Sequence, residues 1–153
     1  MNDGILILIS FISGFIIAQV AKLLTALARQ REKMSGKEVI YWLFRSGGMP
    51  SGHSASFVAA ATACGWARGF TSVECVILIC MSVIIIYDAV NVRYAVGEHG
   101  KLLNEIARND GNVKTKPQKL VEGHTLPQAF VGILIGLVIG TVAYYLYGLI
   151  SAA

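Results

Sequence analysis

Charge is the scarce ingredient of this chain. Asp, Glu, Lys and Arg make up only 14% of its 153 residues, against about 25% in an ordinary soluble domain. A water-soluble fold needs a charged coat, and there is too little here to make one. A soluble domain of this length would also bury only about 68–70% of its unfolded surface, and the apolar runs need more cover than that. Cysteine is scarce as well. The three residues, Cys64, Cys75 and Cys80, have no metal-ligand spacing, and an odd number in apolar surroundings gives no disulfide framework. They read as small hydrophobic packers. There is also no recognition helix, zinc spacing or aromatic-basic strand pattern, so a nucleic-acid partner is not expected.

What is abundant is hydrophobic length. The chain is 55% hydrophobic, with a mean hydropathy of +0.62. Gly4 to Leu27 carries one charge, Lys22, while Ser51–Ala67, Val76–Tyr87 and Thr125–Ala153 carry none. A bilayer core takes about 20 mostly apolar residues per helix. Four segments fit, over about residues 4–27, 52–69, 73–93 and 126–149. The expectation is an all-α, polytopic membrane helical bundle of about four transmembrane helices, forming a single integral membrane domain over residues 1–153. The first run lacks a basic region before it and a small-residue cleavage site, so it reads as a retained helix and not a signal peptide.

The basic residues are unevenly spread. Arg29, Arg31, Lys33, Lys37 and Arg45 mark the connection 28–51 and its flanks. Arg93, Lys101, Arg108, Lys114, Lys116 and Lys119 mark the connection 94–124 and the helix end before it. The second connection has Arg68 balanced by Glu74. The positive-inside rule puts both long connections in the cytoplasm and both termini outside, in the cytoplasmic (inner, plasma) membrane. The net charge of +4 suits contact with anionic membrane lipids. On this topology His53, His99, His124, Arg45 and Arg93 all map to one side.

The segments have distinct characters. Ser10, Ser13 and Gly14 allow close approach to the first helix. Lys22, near its cytoplasmic end, either snorkels to the headgroups or faces a polar site inside the bundle. The run SFVAAATACGWA suits a helix packed at the bundle centre, started by Pro50 and capped by Ser51. The run VECVILICMSVIII reads as a strand by propensity, but an open strand edge cannot sit in lipid, so a helix is expected. Gly132, Gly136 and Gly140 form a small-residue stripe on the last helix. Tyr144, Tyr145 and Tyr147 make an interfacial anchor. AVGEHGKLLNEIARN can form an amphipathic surface helix, with Leu102, Leu103, Ile106 and Ala107 on one side. Residues 109–119 read as a loop.

Three polar stretches carry the chemistry. In RSGGMPSGHS, Gly47 and Gly48 allow unusual backbone geometry. Ser51, Gly52 and the helix start offer N–H groups to an anion, with Arg45 and His53 beside it. The bland reading is a loop and a cap. In YDAVNVR, Asp88 lies about a turn inside a membrane helix, where an ionisable group is paired or functional. Arg93 follows five residues later and is turned about 100° from the i+4 face, so the two are not ideally stacked. An ion pair that only fixes the bundle is the alternative. In EGHTLPQAFVG, His124 and Thr125 start the last helix as His53 and Ser54 start the second, with Gln128 a turn further on. Two His and two Arg around one anion suit phosphoryl transfer: one imidazole attacks phosphorus, the other protonates the leaving oxygen, and cations hold the remaining oxygens.

SGGMPSGHSA, with the later YDAVNVRYAVGEHG and EGHT runs, resembles the small, divergent bacterial branch of the type 2 phosphatidic acid phosphatase superfamily, over nearly the whole chain. The resemblance implies that His53 is the general acid and His124 the nucleophile, with no metal or cofactor. It puts Gln128 where the family has an Asp that orients the nucleophile. Gln can hold an imidazole by hydrogen bonding but cannot offset the imidazolium charge. The family's Ser-Arg pair is missing, with Pro117 and Gln118 near its place, and Lys37 and Arg45 only loosely echo its first motif. We read Arg93 as a substitute guanidinium and Asp88 as a substitute carboxylate. Lys22 is a further candidate for holding the substrate. The family's usual six-helix core is larger than four helices, and a homo-oligomer, such as a dimer, could supply the missing walls.

Two functions follow. One is a membrane phosphatase acting on a lipid phosphomonoester or isoprenoid pyrophosphate through a phospho-histidine. The other is a non-catalytic protein that binds or transports phosphorylated lipid headgroups.

Overall fold

The computed structural model describes residues 2–29, 35–36, 39–40, 48–109 and 123–152. All regular structure among them is helical. Helix α1 spans Asp3–Arg29, α2 Gly52–Arg68, α3 Val73–Tyr87, α4 Arg93–Asn109 and α5 Leu126–Ala152. A π-helical turn, Asp88–Val92, joins α3 to α4 without a break.

Three of these helical stretches are long and apolar enough to cross a membrane: residues 3–28, the apolar part of 73–109, and 126–151. Their large side chains face outward, as Leu8, Leu24, Ile77, Val83, Val138 and Leu146 show. That inverts the pattern of a soluble core and matches lipid as the surrounding solvent. The β-branched α3 is a helix as expected, because lipid leaves its backbone no other partner.

Helix α2 is different. Its 17 residues reach about 25 Å, the short end of the spanning range. Instead of facing lipid it is wrapped by α1, α3 and α5, with Ala55, Ala59, Ala63 and Cys64 fully buried. Small side chains let the neighbours come close. A Cβ on Gly14 of α1 would stand 2.8 Å from the Ala55 carbonyl oxygen. The glycine stripe of α5 does the same from the other side. A Cβ on Gly132 would meet Ser51 O at 2.6 Å, one on Gly136 Ala55 O at 2.7 Å, and one on Gly140 would run into Ala59 O.

At one end of the bundle Arg68 bridges Asp3 and Glu74, at 3.2 and 2.9 Å. Trp66 stacks there on Tyr144 and donates from Nε1 to Thr141 Oγ1 at 3.1 Å, so the aromatic anchor includes a residue of α2. Cys64 and Cys75 pack inside, but Cys80 is exposed on α3 and is not the packer the sequence suggested. Helix α4 is amphipathic, with Leu102, Leu103 and Ile106 on its exposed surface.

Candidate functional site

Lys22 lies 19 residues along α1 from Asp3, about 28 Å of helix, and marks the opposite end of the bundle from the Arg68 cluster. The remaining polar candidates gather around it. Its side chain is only 4% exposed, so it does not snorkel to the surface. It lies beneath the Gly48 loop, where a Cβ on Gly48 would stand 3.7 Å from Lys22 Cγ and Cδ. Gly48 has φ +81°, a conformation that favours glycine. Thr25 Oγ1 ties the same loop to α1 by donating to Met49 O at 3.2 Å. Arg45, Gly47, Lys37, Pro117 and Gln118 lie outside the described residues.

The two histidines come from two helix starts. His53 is the second residue of α2 and is exposed. The charges of Arg93, Lys22 and Asp88 act on its ring. His124 precedes α5 and is 5% exposed. Its ring feels Lys22 and His53 and is flanked by the Gln128 side chain and the Gly48 backbone. Lys22 is thus the shared neighbour of both imidazoles. Burial, followed by the Lys22 cation, pushes the His124 pKa below its ordinary 6.5. The ring is therefore neutral at pH 7, with a lone pair available. Among the described residues its Nδ1 is buried with no hydrogen-bond partner.

The helix starts offer a ligand fewer amides than the sequence implied. Ser51 is fully buried, and its Oγ accepts from Ser54 N–H at 3.3 Å and Ser54 Oγ–H at 2.9 Å. Its own N–H donates to Gln128 O at 3.2 Å, docking α2 on α5. Gly52 is buried against the Phe15 ring. Ser51 therefore caps α2, and Gly52 and His53 remain to supply first-turn donors.

Gln128 is also a capping residue. Its Oε1 accepts from Thr125 N–H at 3.1 Å, which makes Thr125-Leu-Pro-Gln128 half of a reciprocal capping box. The signature was present in the sequence as Thr-x-x-Gln.

Asp88 and Arg93 do meet, with Arg93 Nε donating to Asp88 Oδ2 at 2.6 Å. The π-helical turn between them widens each turn, so residues five apart come onto one face. The 100° offset expected from α geometry does not apply. The charges of the pair act on the His53 ring. The same turn holds His124 from behind: His124 N–H donates to Ala89 O at 2.9 Å. Gly123 lies so close to Arg93 and Tyr94 that a Cβ would collide with their backbone. Ala89 and Gly123 were not singled out from sequence, because a backbone acceptor and a close approach leave little trace in residue type.

The family model described as "Divergent PAP2 family" matches residues 4–139. The chain belongs to the Divergent PAP2 family. It is also similar to the "Uncharacterized membrane protein YuiD" of Bacillus subtilis (strain 168), with 29% identity over 116 residues, covering 67% of this chain and 73% of that protein. No solved structure matches the chain. The family match spans both histidines, Lys22, the Asp88–Arg93 turn, and Gly132 and Gly136 of the α5 stripe.

Proposed function

We propose that this Divergent PAP2 family member is an integral membrane phosphatase that hydrolyses a lipid phosphomonoester or isoprenoid pyrophosphate through a phospho-His124 intermediate. The observation that carries the reading is Lys22, a buried cation acting on two imidazoles delivered by separate helices. A phosphate held between the two histidines would lie within the field of that cation, which suits a phosphoryl site.

The neutral His124 ring attacks phosphorus, and the P–O bond to the leaving group, an alcohol for a monoester or the isoprenyl phosphate for a pyrophosphate, breaks. Protonated His53 donates its proton to that oxygen. Water then attacks the phospho-histidine, giving a proton back to His53, and the P–N bond breaks to release phosphate and neutral His124. Lys22 and Arg93 offset the charge on the phosphoryl oxygens. Asp88 holds Arg93 and stands by His53 as a counter-charge for its imidazolium.

A second reading, a headgroup-binding protein without turnover, has one observation in its favour. Gln128 shares its oxygen with the helix cap, and among the described residues no carboxylate stands on His124. Purified protein in detergent decides between them. Phosphate release from phosphatidic acid, phosphatidylglycerophosphate or undecaprenyl pyrophosphate, lost in both His53→Ala and His124→Ala and retained in EDTA, supports the phosphatase. No release from folded protein with any of the three leaves the binding reading.

The proposed setting is the cytoplasmic membrane, with the histidine end facing the cytoplasm and both termini outside. Its support is the run of basic residues flanking that end. In intact cells, an impermeant thiol reagent should reach a cysteine at position 151 and not one at position 104.

A further inference from the structure

The helix that begins at Val73 does not stop where its membrane-spanning part ends. It runs on through the π turn to Asn109 as one stretch of 37 residues, about 55 Å at about 1.5 Å per residue. The hydrocarbon core of a bilayer is about 30 Å thick, and about 40–45 Å with its headgroup regions. An upright helix would therefore carry its last turns out into water.

One buried stripe follows the whole stretch. Cys75, Ser82, Ala89 and Gly97 are its buried small residues. The first three are spaced by sevens, which drifts only about 20° per step around an α-helix. Gly97 comes eight residues after Ala89, and the wider π turn between them takes up the extra one. A single face thus stays against the bundle. Ala89 O accepts the His124 N–H at 2.9 Å, and Gly97 lines a hollow with Gly48 and Gly123.

The opposite face is apolar and uncovered along both helices. On α3 it presents Ile77, Met81 and Ile84 to lipid. On α4, Val96, Leu102, Leu103 and Ile106 are each more than half exposed. At about 100° per residue they fall within an arc of about 120°, roughly opposite Gly97.

Continuity and width say what covers that arc. It prolongs the lipid-facing side of a membrane helix with no break in the chain between them. A stripe wider than about 100° is what a helix turns toward an extended apolar medium, whereas the seam of a coiled coil takes only the a and d positions and is narrower. His99 lies in the middle of the arc and is exposed. Its apolar ring with a polar tip suits the level of the headgroups, not the hydrocarbon centre.

We infer that the outer face of α4 is a membrane-docking surface at the histidine end of the bundle. Its arc from Val96 to Ile106 is seated about 5–10 Å into the boundary between headgroups and acyl chains, and the excess length of the helix is taken up by tilt or bending. The partner is the lipid itself. The inference depends on the membrane location of the bundle and not on the phosphatase reading.

Spin labels test it. Among the three cysteines only Cys80 is exposed, so a nitroxide on Cys80 of the full chain is the lipid-facing reference. Leu103→Cys, Glu105→Cys, Ile106→Cys and Arg108→Cys are each labelled in a Cys80→Ser background. The protein is placed in nanodiscs of phosphatidylethanolamine and phosphatidylglycerol. Collision of each label with oxygen, which concentrates in hydrocarbon, is compared with collision with a water-soluble nickel chelate. The expected oxygen-to-nickel ratio at 103 and 106 is several times that at 105 and 108 and lies toward the Cys80 value. Val96→Cys, on the same arc, replaces any labelled variant that fails to fold. Free access of nickel to 103 and 106 would put α4 in water and overturn the inference. Protection of both positions from both reagents, with spin–spin broadening that vanishes on dilution by unlabelled protein, would show a second copy on the arc and overturn it as well.

Discussion

Arg93 reaches Asp88 across five residues at 2.6 Å because the turn between them is π-helical. In an α-helix the two would diverge. Both side chains are partly exposed, at 47% and 37%, and such a pair contributes about 0–1 kcal/mol to stability. The turn matters more for what it positions: a guanidinium by His53 and a carbonyl, Ala89 O, on the backbone of His124.

Asp88→Asn should therefore lower stability by under about 1 kcal/mol and yet reduce phosphate release, since Arg93 loses its anchor. Thermal unfolding in detergent and the release assay, run together, check this. A loss of stability as large as that of a core substitution would make the pair structural.

The glycine stripe should tolerate no added carbon. Gly136→Ala places a Cβ 2.7 Å from Ala55 O, and such overpacking costs about 1–3 kcal/mol. Gly148, where a Cβ meets nothing within 4 Å, is the control, and Gly148→Ala should be neutral or slightly stabilising. Unfolding midpoints of the two variants provide the comparison.

Low pH should weaken the fold through His124. Its folded-state pKa lies below 6.5, through burial first and Lys22 second. Its neutral form is the one the fold accommodates, so its contribution is full above about 6.5. It is lost as pH falls from there through the folded value. Lys22→Met removes the second cause and should move the titration back toward 6.5. Imidazole NMR of wild type and variant reads the shift, and an unmoved titration would place Lys22 too far away to act.

Replacing Gln128 separates its two tasks. Gln128→Ala removes the acceptor for Thr125 N–H and should cost about 1 kcal/mol. Gln128→Glu keeps an acceptor within the same reach and adds a charge by His124. It should raise phosphate release by about tenfold, the equivalent of one pKa unit of imidazolium stabilisation. A rate unchanged by Glu would mean that the imidazole is not the reacting group.

The bundle was legible because lipid imposes rules that composition records. Charge-free runs, the Ala-rich centre of α2, the spacing of Gly132, Gly136 and Gly140, and the cap at Ser51 each have one physical meaning in a membrane. The polar end was legible in its membership and less so in its geometry. Lys22 had two outcomes open, and only the packing of the Gly48 loop over its stem decides between them. An α-helix would turn Asp88 and Arg93 apart, and residue types alone do not announce a π turn. At Gln128 the Thr125-x-x-Gln128 capping pattern stands in the sequence beside the expected place against the imidazole, and the side chain serves the cap while also lying against the His124 ring. The free amides expected at both helix starts were reduced by the docking of α2 on α5 through Ser51 N–H and Gln128 O, a contact between segments far apart in the chain.

Helices α2 and α5 touch backbone to backbone along the glycine column, and each carries one of the two imidazoles at its start. The gap between the rings is consequently gauged by main-chain atoms, which have no rotamers to hop between. Drift among the outward-facing Leu, Ile and Val residues can follow the thickness and fluidity of whatever bilayer surrounds the protein without retuning that gap. Adaptation to a new membrane and preservation of the polar end are thereby assigned to different atoms.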